Sequence, residues 1–165
     1  RTRLAEAHGL ALSSCQVELS LARQLPVSSG LVAACRDMGI VVLAYSPLAM
    51  GRLTGKFDPL KGSAPRWGRD GSRPRPFGGG LDADPAALSF LLGALREIGA
   101  RYGRTCSQVA LNWVLCQGAL PLAGSRSRAQ SQENVGAMGW RLDPSDVARL
   151  SSLGAHGATS EFQHG

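Results

Sequence analysis

The sequence predicts an α/β fold built on parallel strands. Three observations carry that reading. Short apolar runs alternate with stretches of helical periodicity along the chain. The run Ile40-Val41-Val42-Leu43-Ala44-Tyr45 is apolar at every position, as a parallel strand covered on both faces would be. Helix start signals recur after the loops, at Asp84-Pro85, at Thr105-Cys106-Ser107-Gln108 and at Asp143-Pro144. Three strands alone are too few to cover both faces and both edges, so the pattern suggests a piece of a larger α/β fold.

The elements follow in order. Arg1 to His8 reads as the back half of a helix entered abruptly, which hints at a missing upstream segment. Cys15-Gln16-Val17 is a short strand. Ser28 to Asp37 reads as one helix, with Leu31, Val32 and Cys35 on its buried face and Gly39 as its stop. Ile40 to Tyr45 is the clearest strand. Lys61 to Gly80 is rich in Gly, Pro and Arg and reads as a mobile loop. A helix opens at Asp84-Pro85 with a stripe of Leu88, Leu91, Leu92, Leu95 and Ile98. The capping box at Thr105 starts another, running to Cys116 with Val109, Ala110, Trp113 and Val114 inward. Ala119 to Ala123 is a third strand. Helices from Arg128 to Ala137 and from the Asp143 cap to Leu153 complete the order, and 154–165 reads as a flexible tail.

Composition narrows the function. No apolar run reaches the length of a membrane span, and the start has no apolar signal core. The net charge is +6, and sixteen of the eighteen basic residues are Arg. They are scattered, with local density only at Arg66, Arg69, Arg73 and Arg75, and aromatics are 5% of the chain. That disfavours a nucleic-acid surface and suits a small anionic ligand. Cys15, Cys35, Cys106 and Cys116 form no Cys-x-x-Cys pair, and His8, His156 and His164 lack metal-ligand spacing. The cysteines are expected to be small hydrophobes of a reducing compartment.

Two segments carry chemistry. Tyr45-Ser46-Pro47-Leu48-Ala49-Met50-Gly51-Arg52-Leu53-Thr54-Gly55-Lys56 sits at the carboxyl end of the best strand, where ligands bind in parallel α/β folds. Pro47 stiffens the exit, Gly51 and Gly55 allow close backbone approach, Lys56 offers a charge to a phosphate and Tyr45 can stack on a flat ring. An ordinary strand and turn, with Tyr45 half-buried, is the plainer reading of the same residues. The second segment, Gly124-Ser125-Arg126-Ser127-Arg128-Ala129-Gln130-Ser131-Gln132-Glu133-Asn134, leads from the third strand into a helix N-terminus, which favours an anion. Arg126 and Arg128 add forked donors, and Gln130, Glu133 and Asn134 share a helix face. A capped helix with a solvated face is the plainer alternative here.

Together the two segments resemble the aldo-keto reductase family, an eight-stranded barrel of NADPH-using reductases. The run from Tyr45 to Lys56 looks like the family's seventh-strand signature. The segment Leu120 to Leu150 looks like the eighth, with Gln130, Glu133-Asn134 and Gly136-Ala137-Met138-Gly139-Trp140. Ser107-Gln108-Val109-Ala110-Leu111-Asn112-Trp113 matches the helix between them, and Cys15-Gln16-Val17-Glu18 resembles the sixth strand. The resemblance covers residues 1–153. It implies a partial TIM (β/α)8 barrel: about three C-terminal βα units with a terminal extra helix, interrupted by the loop at 62–80.

The resemblance also assigns roles. Gln16 would hydrogen-bond the nicotinamide carboxamide, and Tyr45 would stack on its ring. Ser46, Pro47, Leu48, Gly51 and Lys56 would line the pyrophosphate path, with Arg66 as a further phosphate contact. Arg126, after the Gly124 turn, would meet the 2′-phosphate of NADP(H), with Gln130, Glu133 and Asn134 around the adenosine end. Arg128 is the weaker candidate. The family's proton-donating tyrosine, with its lysine, aspartate and histidine, lies on earlier strands and has no match here. Tyr102 matches no catalytic position.

Two functions are therefore expected. The first is the C-terminal part of an NADPH-dependent reductase of small carbonyl compounds. The second is a non-catalytic nucleotide-sensing or interaction module derived from the barrel. Neither nucleic acid nor membrane is an expected partner, and the oligomeric state is open. A cytoplasmic location is the default expectation, with plastid as the second.

Overall fold

The computed structural model describes residues 8, 9, 11–61 and 84–155. The expectations for the opening helix before His8, for Arg66 and the 62–80 loop, and for His156 and His164 lie outside the described residues.

Among the described residues three parallel strands form the sheet, in the order β1 (Ser14–Glu18), β2 (Val41–Tyr45), β3 (Ala119–Leu122). Between β1 and β2 run two short helices, α1 (Leu25–Ser28) and α2 (Leu31–Asp37). A 3-10 segment, Ala49–Thr54, follows β2, and another covers Pro59–Lys61. Helices α3 (Pro85–Tyr102) and α4 (Cys106–Cys116) precede β3, and α5 (Arg128–Val135) and α6 (Pro144–Leu153) follow it. Pro121 cannot donate to a ladder, which suits β3's place at the sheet edge.

The register sorts side chains onto two faces. Val42 pairs with Cys15 and Ala119, and Ala44 with Val17 and Pro121, so these residues share the face that the helices cover. Val32 and Cys35 of α2 and the α3 and α4 stripes fill that core, with Leu91, Leu95, Ile98 and Trp113 fully buried. On the opposite face stand Gln16, Glu18, Val41, Leu43, Tyr45, Leu120 and Leu122. Val41 is 44% exposed, Leu120 51% and Leu122 43%. The strand that reads as buried on both faces therefore buries one. The second face needs cover from elements that lie elsewhere in sequence or in another chain, and periodicity within β2 cannot show whether they are present.

One helix expectation changes in detail. The stretch from Ser28 is broken: α1 ends at Ser28, and α2 starts after Gly30, whose φ of +81° no continuous helix accepts. The new phase leaves Leu31 exposed while Val32 and Cys35 point inward. The helix starts are otherwise as read. Asp84 accepts from the Ala87 amide at 2.9 Å, and Thr105 and Gln108 form a complete capping box. Asp143 caps α6 by position only. Its carboxylate instead accepts from the Tyr102 hydroxyl at 3.0 Å, as does that of Asp146, which tie the end of α3 to the start of α6. Arg101 reinforces the same junction through Asp146.

The far end of α6 closes onto the exit of β1. Ala155 donates to the Leu21 carbonyl at 2.9 Å, Gln24 donates to Ala155 at 3.0 Å, and the Gln24 side chain donates to the Ser151 carbonyl at 3.0 Å. The tail expected from Gly154 thus begins with two residues held against that exit.

Candidate functional site

The carboxyl ends of β2 and β3 open into one cleft of about 510 Å³. It gathers Ser46, Pro47, Leu48, Gly51 and Lys56 from the β2 exit, and Gly124, Arg126, Gln130, Glu133 and Asn134 from the β3 exit. Ten of the thirteen residues named from sequence therefore meet in one place. Tyr45 and Gln16 do not line the cleft. Both stand on the sheet's other face: Tyr45 pairs with Leu122, which does line the cleft, and Gln16 pairs with Leu43 farther from it. Arg128 is exposed and outside the lining.

The β2 exit is a strained piece of backbone. Ser46, Ala49 and Met50 all have positive φ, near 50°, and none is glycine. Such conformations persist where surrounding structure enforces them, and they cluster at ligand sites. Thr54 enforces one turn here: its hydroxyl donates to the Gly51 carbonyl at 2.7 Å and accepts from the Lys56 amide at 3.4 Å. Gly55 serves differently from the expectation. A Cβ there would stand 2.9 Å from the Cys106 sulfur, so its close approach is to α4 and not to a ligand. Gly55→Ala combines that clash with a φ of +75°. It is expected to lower stability by ~1 kcal/mol or more, seen as a lower melting temperature.

At the β3 exit the polar residues first organise their own segment. The Gln130 side-chain oxygen accepts from the Arg126 amide at 2.7 Å, and Ser127 caps α5 by accepting from the Gln130 amide at 3.3 Å. Asn134 donates to the Gly124 carbonyl at 3.4 Å. Glu133 accepts from the Thr105 hydroxyl at 3.0 Å, and Gln108 donates to the Glu133 carbonyl at 3.0 Å, so the α4 cap holds α5 in place. Gly136 leaves the space that the Gln108 amide occupies. This arrangement leaves the exposed Arg126 side chain and the exposed Lys56 facing one cleft.

Met50, Thr54, Ser107, Ala123 and Ser125 also line the cleft and were not singled out as site residues from sequence. Ser107 is buried at the start of α4. Its place just inside a capping box was the one available signal, because a helix N-terminus is where an anion is favoured.

The buried titratable groups Glu18 and Cys35 lie away from the cleft. Burial pushes Glu18 above the usual carboxylate range, against the pull of Arg23 at 3.1 Å. Burial, with the neighbouring Cys15 thiol, pushes Cys35 up. All four cysteines are free. Among the described residues no cluster of His, Cys, Asp and Glu could hold a metal, and no helix is long and apolar enough to cross a membrane.

In parallel α/β sheets this end of the strands is where ligands bind. Sequence comparison makes this more particular. The description "Aldo/keto reductase family" matches residues 2–155, and the chain belongs to that family. It is 33% identical over 168 residues to a chloroplastic pyridoxal reductase of Arabidopsis thaliana, covering 96% of this chain and 41% of the relative. It is 32% identical to an aldo-keto reductase of Strobilurus tenacellus over 74% of this chain and 36% of that one. The chain thus spans roughly two-fifths of the length of these relatives. Solved structures share the fold. A glycerol dehydrogenase of Gluconobacter oxydans superposes with a TM-score of 0.68 at 22% identity, over 89% of this chain and 43% of that one. An aldo-keto reductase complexed with NADPH gives 0.57 at 24% identity, over 88% and 36%. The three-stranded sheet and its helices correspond to part of a TIM barrel.

Proposed function

We propose that this chain is the cofactor-holding, C-terminal portion of an NADPH-dependent aldo-keto reductase that reduces aldehyde or ketone carbonyls. In this reading its own residues hold the cofactor and supply no proton donor. The observation that carries it is the convergence of the β2 and β3 exits on one cleft with Lys56 and Arg126 in its lining. The donor set fits a phosphorylated dinucleotide: among the described residues two cations, several hydroxyls and a helix N-terminus face the space, and the one carboxylate there, Glu133, is engaged by Thr105.

When bound, NADPH supplies the hydride. The protein binds and orients. Arg126 takes the 2′-phosphate, for which a guanidinium fork is suited. Ser46, Pro47, Leu48, Gly51 and Lys56 follow the pyrophosphate, and Gln130, Glu133, Asn134 and Gly124 shape the adenosine end. Tyr45 and Gln16, which share the sheet face opposite the helices, hold the nicotinamide. The exposed Val41, Leu120 and Leu122 are then the inner wall of a barrel completed by further strands. A plastid location is in keeping with the chloroplastic relative.

Titration of the chain with NADPH and with NADH tests this. Arg126→Ala is expected to weaken NADPH about 10- to 100-fold, the worth of a charge-assisted contact, and to leave NADH unchanged. Equal losses for both would overturn the assignment of Arg126. Turnover of an aldehyde by this chain alone would overturn the claim that it supplies no proton donor. The same uncovered face favours a second reading, an interaction module that dimerises through it. A monodisperse dimer that binds NADPH on size exclusion would favour that one.

A further inference from the structure

Arg96, on α3, is absent from the cleft lining yet reaches the segment that carries Lys56. Its guanidinium donates to the Gly55 carbonyl at 3.3 Å and to the Asp58 carboxylate at 3.0 Å. Asp58 is buried, and its other oxygen accepts from Ser89 at 2.9 Å and from the Leu60 amide at 3.3 Å. Cys106 packs against Gly55 from α4. The peptide before Lys56 is therefore gripped from two helices, while Thr54 holds the Lys56 amide from the preceding turn at 3.4 Å.

We infer that Arg96 is a positioning residue for the anion subsite, fixing through the Gly55 carbonyl the peptide that aims Lys56 into the cleft. The inference rests on the reading of that cleft as a site for NADPH phosphates. A lysine on an untethered loop meets a phosphate only after its backbone is ordered, and that ordering weakens binding. Arg96 supplies the order before the ligand arrives. Its forked donors allow one side chain to serve a carboxylate and a carbonyl at once, which a lysine ammonium does less well.

The test uses the full chain with NADPH as probe. Arg96→Met and Lys56→Met are each expected to weaken binding about tenfold, and the double variant to be no weaker than either, because both remove the same contact. Hydrogen exchange on the ligand-free chain is the second readout. The Lys56 amide is expected to exchange about tenfold faster in Arg96→Met, while amides from Val109 to Val114 keep their protection. Arg96→Lys is expected to recover the thermal stability lost in Arg96→Met without recovering the affinity. Losses that multiply in the double variant, or an unchanged Lys56 amide, would overturn the positioning role. A wild-type chain that binds no NADPH, with a faster Lys56 amide in Arg96→Met, would uphold the positioning and overturn the cleft's assignment instead.

Discussion

Arg23→Met is expected to destabilise the chain by about 3–5 kcal/mol, the cost of breaking a buried ion pair from one side. Arg23 and Glu18 lie 3.1 Å apart with side chains only 5% and 4% exposed. Removing the guanidinium leaves the Glu18 carboxylate charged in a place water does not reach. The deficit depends on pH, and its sign follows from the carboxyl. Burial already raises Glu18 above its ordinary value of 4.5 despite Arg23; without Arg23 burial acts unopposed. A folded-state value above the unfolded one makes the fold most stable below the unfolded value, with stability falling as pH rises towards the folded one. The variant's deficit should therefore be largest at neutral pH and narrow as pH drops into the acid range. Denaturant unfolding at several pH values checks this, and a deficit flat with pH would refute it.

Asn112→Ala is expected to cost on the order of 3 kcal/mol or more, since each buried polar group left unpaired costs ~1–3 kcal/mol. Asn112 is fully buried in α4. Its amide donates to the Ala137 and Trp140 carbonyls, both at 2.9 Å, and its oxygen accepts from the Leu142 amide at 3.0 Å. One side chain thus satisfies three backbone groups in the irregular stretch between α5 and α6. Losing it should loosen the stretch that anchors α5, so NADPH affinity should fall along with melting temperature. Asn112→Asp separates the two contributions. It keeps the acceptor for Leu142 but turns a carboxylate towards two carbonyls, and it should be no better than alanine.

Local chemistry was the legible part of this protein. Asp84-Pro85, the Thr105 and Gln108 box and the leucine stripe of α3 announce themselves because cap and stripe lie within a few residues of each other. The cleft was legible for a related reason: both segments leave strands at the ligand-binding end of a parallel sheet. What sequence hid depends on distant partners. Asp143 reads as a cap, but Tyr102 claims its carboxylate. Gln130 and Glu133 read as ligand contacts, yet each first serves its own fold, Glu133 through Thr105 from another helix. The Gly30 break was hidden too, because the apolar positions that signal the helix all lie after it; the bare face of β2 was not, since three strands alone cannot cover both faces. The Arg96 grip on Gly55 spans 41 residues and left no motif.

The fastening of Ala155 and Ser151 to Leu21 and Gln24 has a consequence for biosynthesis. The contact joins positions 127 apart in sequence, so the exit of β1 leaves the ribosome long before its clasp does. Until then the Leu21 carbonyl and the Gln24 amide lack the partners that Ala155 supplies. A nascent chain halted within α6 would lack the clasp, and the turn after β1 is then the expected place of protease attack.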